Sequence, residues 1–165
     1  MMKDKFELKV IGKIVSPIID TAKMPLQGVE AQAHIEAKFT DTLDGIDKHS
    51  HVFVLCWMDQ ARRDRLKVIP RRHGGENQAK GVFALRSPAR PNPISLNTTR
   101  LLKREENILY LENIDMVDGT PIIDIKPYST GWDCIFSAHN NSTYNTYSKM
   151  PAADVLADML RQAGN

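Results

Sequence analysis

The chain has 165 residues, 42% hydrophobic and 25% charged, the make-up of one globular domain large enough to bury about two thirds of its unfolded surface. No stretch approaches the roughly 20 apolar residues of a membrane span. The start, MMKDKFELKVIGKI, has no signal-peptide core, and Cys56 and Cys134 form neither a CxxC pair nor a disulfide framework, so a cytoplasmic protein is expected.

Taken in chain order, residues 6–15 (FELKVIGKIV) read as a first strand ending at Ser16-Pro17. Residues 31–39 (AQAHIEAKF) alternate, with Ala31, Ala33, Ile35, Ala37 and Phe39 on one face and Gln32, His34, Glu36 and Lys38 on the other. That is the pattern of a half-buried strand, and Leu43-Asp44-Gly45 reads as a turn after it. The apolar run 52–57 (VFVLCW) reads as a central strand, and further strands are expected at 66–69, 81–85, 94–102, 108–114 and 121–126. Gly74-Gly75, Asp118-Gly119 and the prolines supply the turns between them. Many short strands with few helical patterns predict a mainly β fold, an antiparallel barrel or sandwich. The helix signal comes late. In residues 151–165 (PAADVLADMLRQAGN), Val155, Leu156, Met159 and Leu160 repeat at helical spacing after a polar stretch at 137–147.

The formal net charge of +2 conceals an uneven distribution: nine basic residues and two acids lie between Arg62 and Arg90. Such a segment suits a polyanion such as RNA, or it is a solvated loop face. It runs into RSPARPNPISL (86–96), where Pro88, Pro91 and Pro93 stiffen the backbone and hold each preceding residue extended. A rigid, charged stretch of this kind reads as a preorganised ligand-facing wall or as a proline-locked barrel corner.

No G-x-G occurs, so a Rossmann fingerprint and a Walker loop are both missing. His49 and His51 lie at i, i+2, but no third metal ligand is near, and no metal is expected. Cys56 lies inside an apolar run, which favours an inert thiol. Asp115, Asp118 and Asp124 cluster in IDMVDGTPIIDIKPY (114–128), with Asp118 reading as a turn residue. Lys126 follows Asp124 on the same strand face, where the two can pair. A carboxylate in a partly apolar wall is either a structural ion pair or a partner for a cationic or hydrogen-bond-donating ligand.

Three ordered blocks resemble the TsaA/TrmO-like (YaeB, UPF0066) family. GVFALRSPARPNPISL (81–96) resembles its signature GVFATRSPHRPNPIGL. DGIDKHSHVFVLCWMDQA (44–61) resembles its GLE-x-FSH-strand block. IDMVDGTPIIDIKPY resembles LDxxDGTPVLDIKPY, and IGKIVSP (11–17) and MPLQG (24–28) complete the order. The resemblance implies an antiparallel β-barrel over 1–130 that dimerises and binds S-adenosylmethionine without a Rossmann sheet. The polar segment and helix of 131–165 are expected to pack on it, as in a single-domain member lacking the usual C-terminal extension. It also implies N6-methylation of threonylcarbamoyladenosine at tRNA position 37. Carried onto this chain, the cofactor contacts are Gln27, Gly28, Asp59, Gln60, Arg86, Leu96, Ile114, Asp115, Met116 and Val117. Arg90, Asn92 and Asp124 are the candidate catalytic residues. Leu26, Ala89 and Ser95 stand where the family has Arg, His and Gly. Two other readings stay open: methyl transfer to a small molecule, and a non-catalytic S-adenosylmethionine-binding module.

Overall fold

A computed structural model describes residues 7–69 and 78–135. The chain divides into two compact units between Tyr128 and Ser129. The first is a closed, wholly antiparallel barrel of six strands. Around the barrel they run β1 (Gly12–Val15), β2 (Val29–Ile35), β7 (Ile108–Ile114), β6 (Ile94–Glu105), β3 (His51–Trp57) and β8 (Pro121–Pro127). A separate two-stranded ribbon joins β4 (Lys67–Val68) to β5 (Lys80–Gly81). The described part of the second unit holds one short helix, α1 (Thr130–Asp133). The expected polar stretch at 137–147 and the helix after Pro151 lie outside the described residues. Among the described residues no helix is long and apolar enough to cross a membrane.

The core follows from strand alternation. Ile14, Ala33, Val52, Val54, Cys56, Leu109, Leu111, Ile114 and Ile122 are completely buried and pack in one cluster. A full-sized aliphatic in such a place contributes roughly 1.5–3 kcal/mol. The run 52–57 conceals this alternation, because Phe53, Leu55 and Trp57 are apolar too but lie half-buried on the outer face. Gly12 lets β1 close on β2, since a Cβ there would overlap the backbone carbonyl oxygen of His34.

Three sequence expectations are corrected. The first strand begins at Gly12 rather than residue 6. The alternation from 31 stops at Ile35, where Ile35 N donates to Asn107 O and Glu36 N to Ile11 O, and Ala37–Leu43 coil into a 3-10 helix. Phe39 still packs against the core and Leu43 is buried in it, so the apolar residues are used, but to close one end of the barrel. Arg104 fixes this plug by donating to Leu43 O and Thr40 O while meeting Asp44. Third, GVFAL is not a strand. Pairing stops at Gly81, and Val82–Ala84 form a 3-10 turn.

Inside the barrel, Ser95 Oγ accepts from Cys56 N at 3.1 Å and from Asn97 Nδ2 at 2.9 Å. The serine that replaces the family's glycine therefore satisfies its hydroxyl within the sheet. Burial pushes the Cys56 thiol from 9.0 up to about 12, although the Ser95 hydroxyl opposes the shift. At pH 8 its thiolate should be about a thousandfold scarcer than that of an ordinary thiol. A thiol reagent is expected to modify one cysteine per native chain quickly, and both after denaturation. Rapid native labelling of Cys56 would contradict this. The unfolded chain ionises this thiol from about pH 9 and the folded chain only near 12. Stability is therefore full below pH 9 and declines as pH rises through that window.

Candidate functional site

Neighbouring strands run in opposite directions. The exits of β1, β3 and β7 and the entries of β2, β6 and β8 consequently share one end of the barrel. Three connections meet there: 16–28, 58–93 and 115–120. Backbone bonds close the base of 58–93 and tie 115–120 to the 16–28 connection and to β1. Met58 N donates to Pro93 O at 2.8 Å, Asp118 N to Ile18 O at 2.7 Å, and Gly119 N to Ile14 O at 2.9 Å.

This end gathers residues that are far apart in sequence. Gln27 and Gly28 close the 16–28 connection. Gly28 has φ +76°, and its Cα lies so near β7 that a Cβ would stand 2.7 Å from the Ile114 carbonyl. The segment 27–28 is thereby seated on the start of Ile114–Val117. Ile114 and Val117 are buried, so they can offer a ligand only backbone atoms, and Val117 O already accepts from the Thr120 hydroxyl. Asp115 and Met116 are half-buried. Asp118, read as a turn residue, ties its carboxylate to Ser16 N at 3.0 Å.

On the other side of the same end, Asp59 and Gln60 leave β3 in exposed positions, with Gln60 N donating to the Asp59 carboxylate. Leu96, two residues into β6, faces outward opposite Leu55 and is 47% exposed. Arg86 is exposed and has no partner among the described residues. Arg90 behaves differently. Its Nη2 donates to both Val82 O and Leu85 O, and its Nε is buried without a partner. The guanidinium braces the 3-10 turn that leads into Arg86, which makes Arg90 a strut of the loop. Asn92 is exposed, and its carbonyl accepts from Ile94 N.

Asp124 stands one strand over from Leu96, since Leu55 pairs with Leu96 on one side and with Asp124 on the other. It follows a bulge in β8, pairs with Lys126 at 2.7 Å, and accepts from Ile125 N. The residue borders a groove of about 280 Å³ with Phe39, Leu43 and Ile46, next to the plugged end. The pairing expected from the spacing of Asp124 and Lys126 is present. His51 Nδ1 meets Ser50 Oγ at 3.0 Å and its ring edges onto Tyr128.

Comparison with known proteins adds the family. Residues 13–134 match the profile of the tRNA-methyltransferase O N-terminal domain. The chain belongs to this family. It is 42% identical over 132 residues to an S-adenosyl-L-methionine-binding protein of Archaeoglobus fulgidus, covering 78% of this chain and 93% of that one. It is 40% identical to the mouse tRNA (adenine(37)-N6)-methyltransferase over 113 residues, 67% of this chain and 25% of the mouse protein. A crystal structure of TrmO from Pseudomonas aeruginosa superposes with a TM-score of 0.68 at 31% identity, over 84% of this chain and 62% of that one. The chain thus spans nearly all of the archaeal protein but less than two thirds of the solved TrmO chain. In the 58–93 connection, the exposed Phe83 escaped sequence reasoning because GVFAL reads as a strand interior. The cations on both sides of it were the available signal.

Proposed function

We propose that the chain is an S-adenosylmethionine-dependent methyltransferase whose acceptor is N6 of threonylcarbamoyladenosine at tRNA position 37. The observation that supports this reading is that the three connections which carry or border the family's site positions open from one barrel end. The side chains there suit the cofactor. The exposed cation of Arg86 matches its carboxylate. Asp59 and Asp115 supply acceptors for its ammonium group and ribose hydroxyls. Leu96 and Met116 offer apolar surface, and the backbone of 114–117 borders the place for the adenine edge. When bound, the sulfonium supplies an activated methyl group for in-line displacement. The chain contributes orientation, which is the main requirement of such a transfer. Asn92, exposed beside the cofactor wall, is assigned to the acceptor, with Arg90 holding the wall in place.

The reading extends to a cytoplasmic homodimer. Phe53, Leu55, Trp57 and Leu96 form an apolar strip on the outer face of β3 and β6, which a second copy can cover. Binding without transfer is the second reading, because the archaeal relative matched over 93% of its length is named for binding alone.

Incubation with methyl-labelled S-adenosylmethionine and tRNA bearing threonylcarbamoyladenosine separates the two. Label is expected in the modified adenosine and absent when the tRNA lacks the threonylcarbamoyl group. Cofactor binding with no transfer selects the binding module. No cofactor binding overturns both.

A further inference from the structure

Phe83 is 83% exposed at the centre of the turn Val82–Ala84. A single exposed apolar residue needs no explanation, but three features set this one apart. The turn is rigid: Leu85 N donates to Val82 O, and Arg90 clamps the carbonyls of Val82 and Leu85. The ring is therefore presented on a fixed backbone. A second apolar residue is exposed on the strand bonded to this turn: Leu66, whose carbonyl accepts from Val82 N, is 74% exposed.

The third feature is charge. The ribbon pairs Lys67 with Gly81 and Val68 with Lys80, laying one basic stretch beside another. Arg65, Lys67 and Lys80 are all exposed there. The acid among these described residues, Asp64, is already bonded to Arg62 through two nitrogens.

An exposed aromatic face among cations matches unpaired nucleotides, where bases stack and phosphates are neutralised. A second copy of this chain fits poorly, because two like-charged surfaces would oppose each other. A double helix would use the cations and leave the ring idle. We propose that Phe83 is a stacking platform for an unpaired base in the loop of the RNA substrate, with Arg65 and Lys67 carrying the flanking phosphates. The proposal rests on the tRNA reading above and adds the surface that would grip the loop.

The test compares the full chain with Phe83→Ala and Phe83→Trp variants. Anisotropy measures binding to an anticodon stem-loop RNA, to a fully paired RNA duplex, and to vesicles containing an anionic phospholipid. Calorimetry measures S-adenosylmethionine. Phe83→Ala is expected to weaken stem-loop binding roughly 5- to 150-fold, while Phe83→Trp retains it. Duplex affinity, cofactor affinity and the salt dependence of stem-loop binding should not change in Phe83→Ala. Lys67→Gln should instead flatten the salt dependence by about 0.7–0.9. The proposal is overturned if Phe83→Ala binds the stem-loop as the parent does or loses duplex and stem-loop equally. It is also overturned if the variant changes only vesicle binding or self-association. If the parent binds cofactor but no RNA, the tRNA reading fails as well. If the parent methylates RNA and Phe83→Ala binds normally, only the platform fails.

Discussion

Gly28→Ala is expected to destabilise the barrel by about 2–5 kcal/mol, combining left-handed backbone strain with overpacking. The new Cβ would stand 2.7 Å from both the carbon and the oxygen of the Ile114 carbonyl, and 2.8 Å from Asn113 C. These are backbone atoms, so no rotamer change relieves the contact. Asn113 itself has φ 63°, and the β2–β7 ladder shifts register between Val29 and Ala31. The neighbouring chain is thus already specialised. The 16–28 connection would have to lift off β7, drawing Gln27 away from Asp115–Val117 and weakening cofactor binding. Gly45→Ala is the control: its φ is +82°, but nothing lies within 4 Å of the point its Cβ would occupy, so only about 1–2 kcal/mol of backbone strain applies. Urea denaturation measures the two costs. Equal losses in both variants would show that the close approach to Ile114 has no energetic consequence.

Arg86→Ala is expected to weaken S-adenosylmethionine binding roughly 10- to 150-fold, the value of one charge-assisted hydrogen bond. Stability should change by less than about 0.5 kcal/mol, since the side chain is exposed and has no partner among the described residues. Arg86→Lys should recover part of the affinity, keeping the charge but losing the planar fork. Calorimetry with the demethylated cofactor supplies a second readout. It carries the same carboxylate, so its affinity should fall by the same factor. Unchanged affinity for both ligands would remove Arg86 from the site. The adjacent Arg90 provides a contrast, because its bonds to Val82 O and Leu85 O make it part of the loop's own structure.

Much of the barrel was legible in the sequence. The strands expected at 108–114 and 121–126 are β7 and β8 to within one residue, and Ala31, Ala33 and Ile35 face the core. These segments take part in continuous ladders, where alternation and burial coincide. Legibility failed where the ladder stops for tertiary reasons. Ala37 and Phe39 continue the alternation of Ala31–Ile35, yet the chain coils there because Ile35 and Glu36 make the last ladder bonds, to Asn107 and Ile11. Val82 is buried and Phe83 exposed within a run that looks uniformly apolar, because the Arg90 clamp imposes a turn.

The site divided along the same line. Local chemistry identified the stiff RSPARPNPISL stretch, the Asp118 turn and the Asp124–Lys126 pair, because each depends on residues a few positions apart. Family motifs named the candidate cofactor positions one block at a time. Composition and periodicity determined a mainly β chain, with a concentrated basic segment leading into a rigid one. Only the tertiary structure decided that the connections 16–28, 58–93 and 115–120 open from one barrel end, and that Asp124 pairs with Leu55 across the sheet. Closure of six antiparallel strands sends alternate connections to opposite ends, and that assignment depends on which strands become neighbours. Arg90 shows the same dependence at the scale of a side chain. The family resemblance makes it a candidate catalytic residue, and folding adds two backbone carbonyls within reach, to both of which it donates.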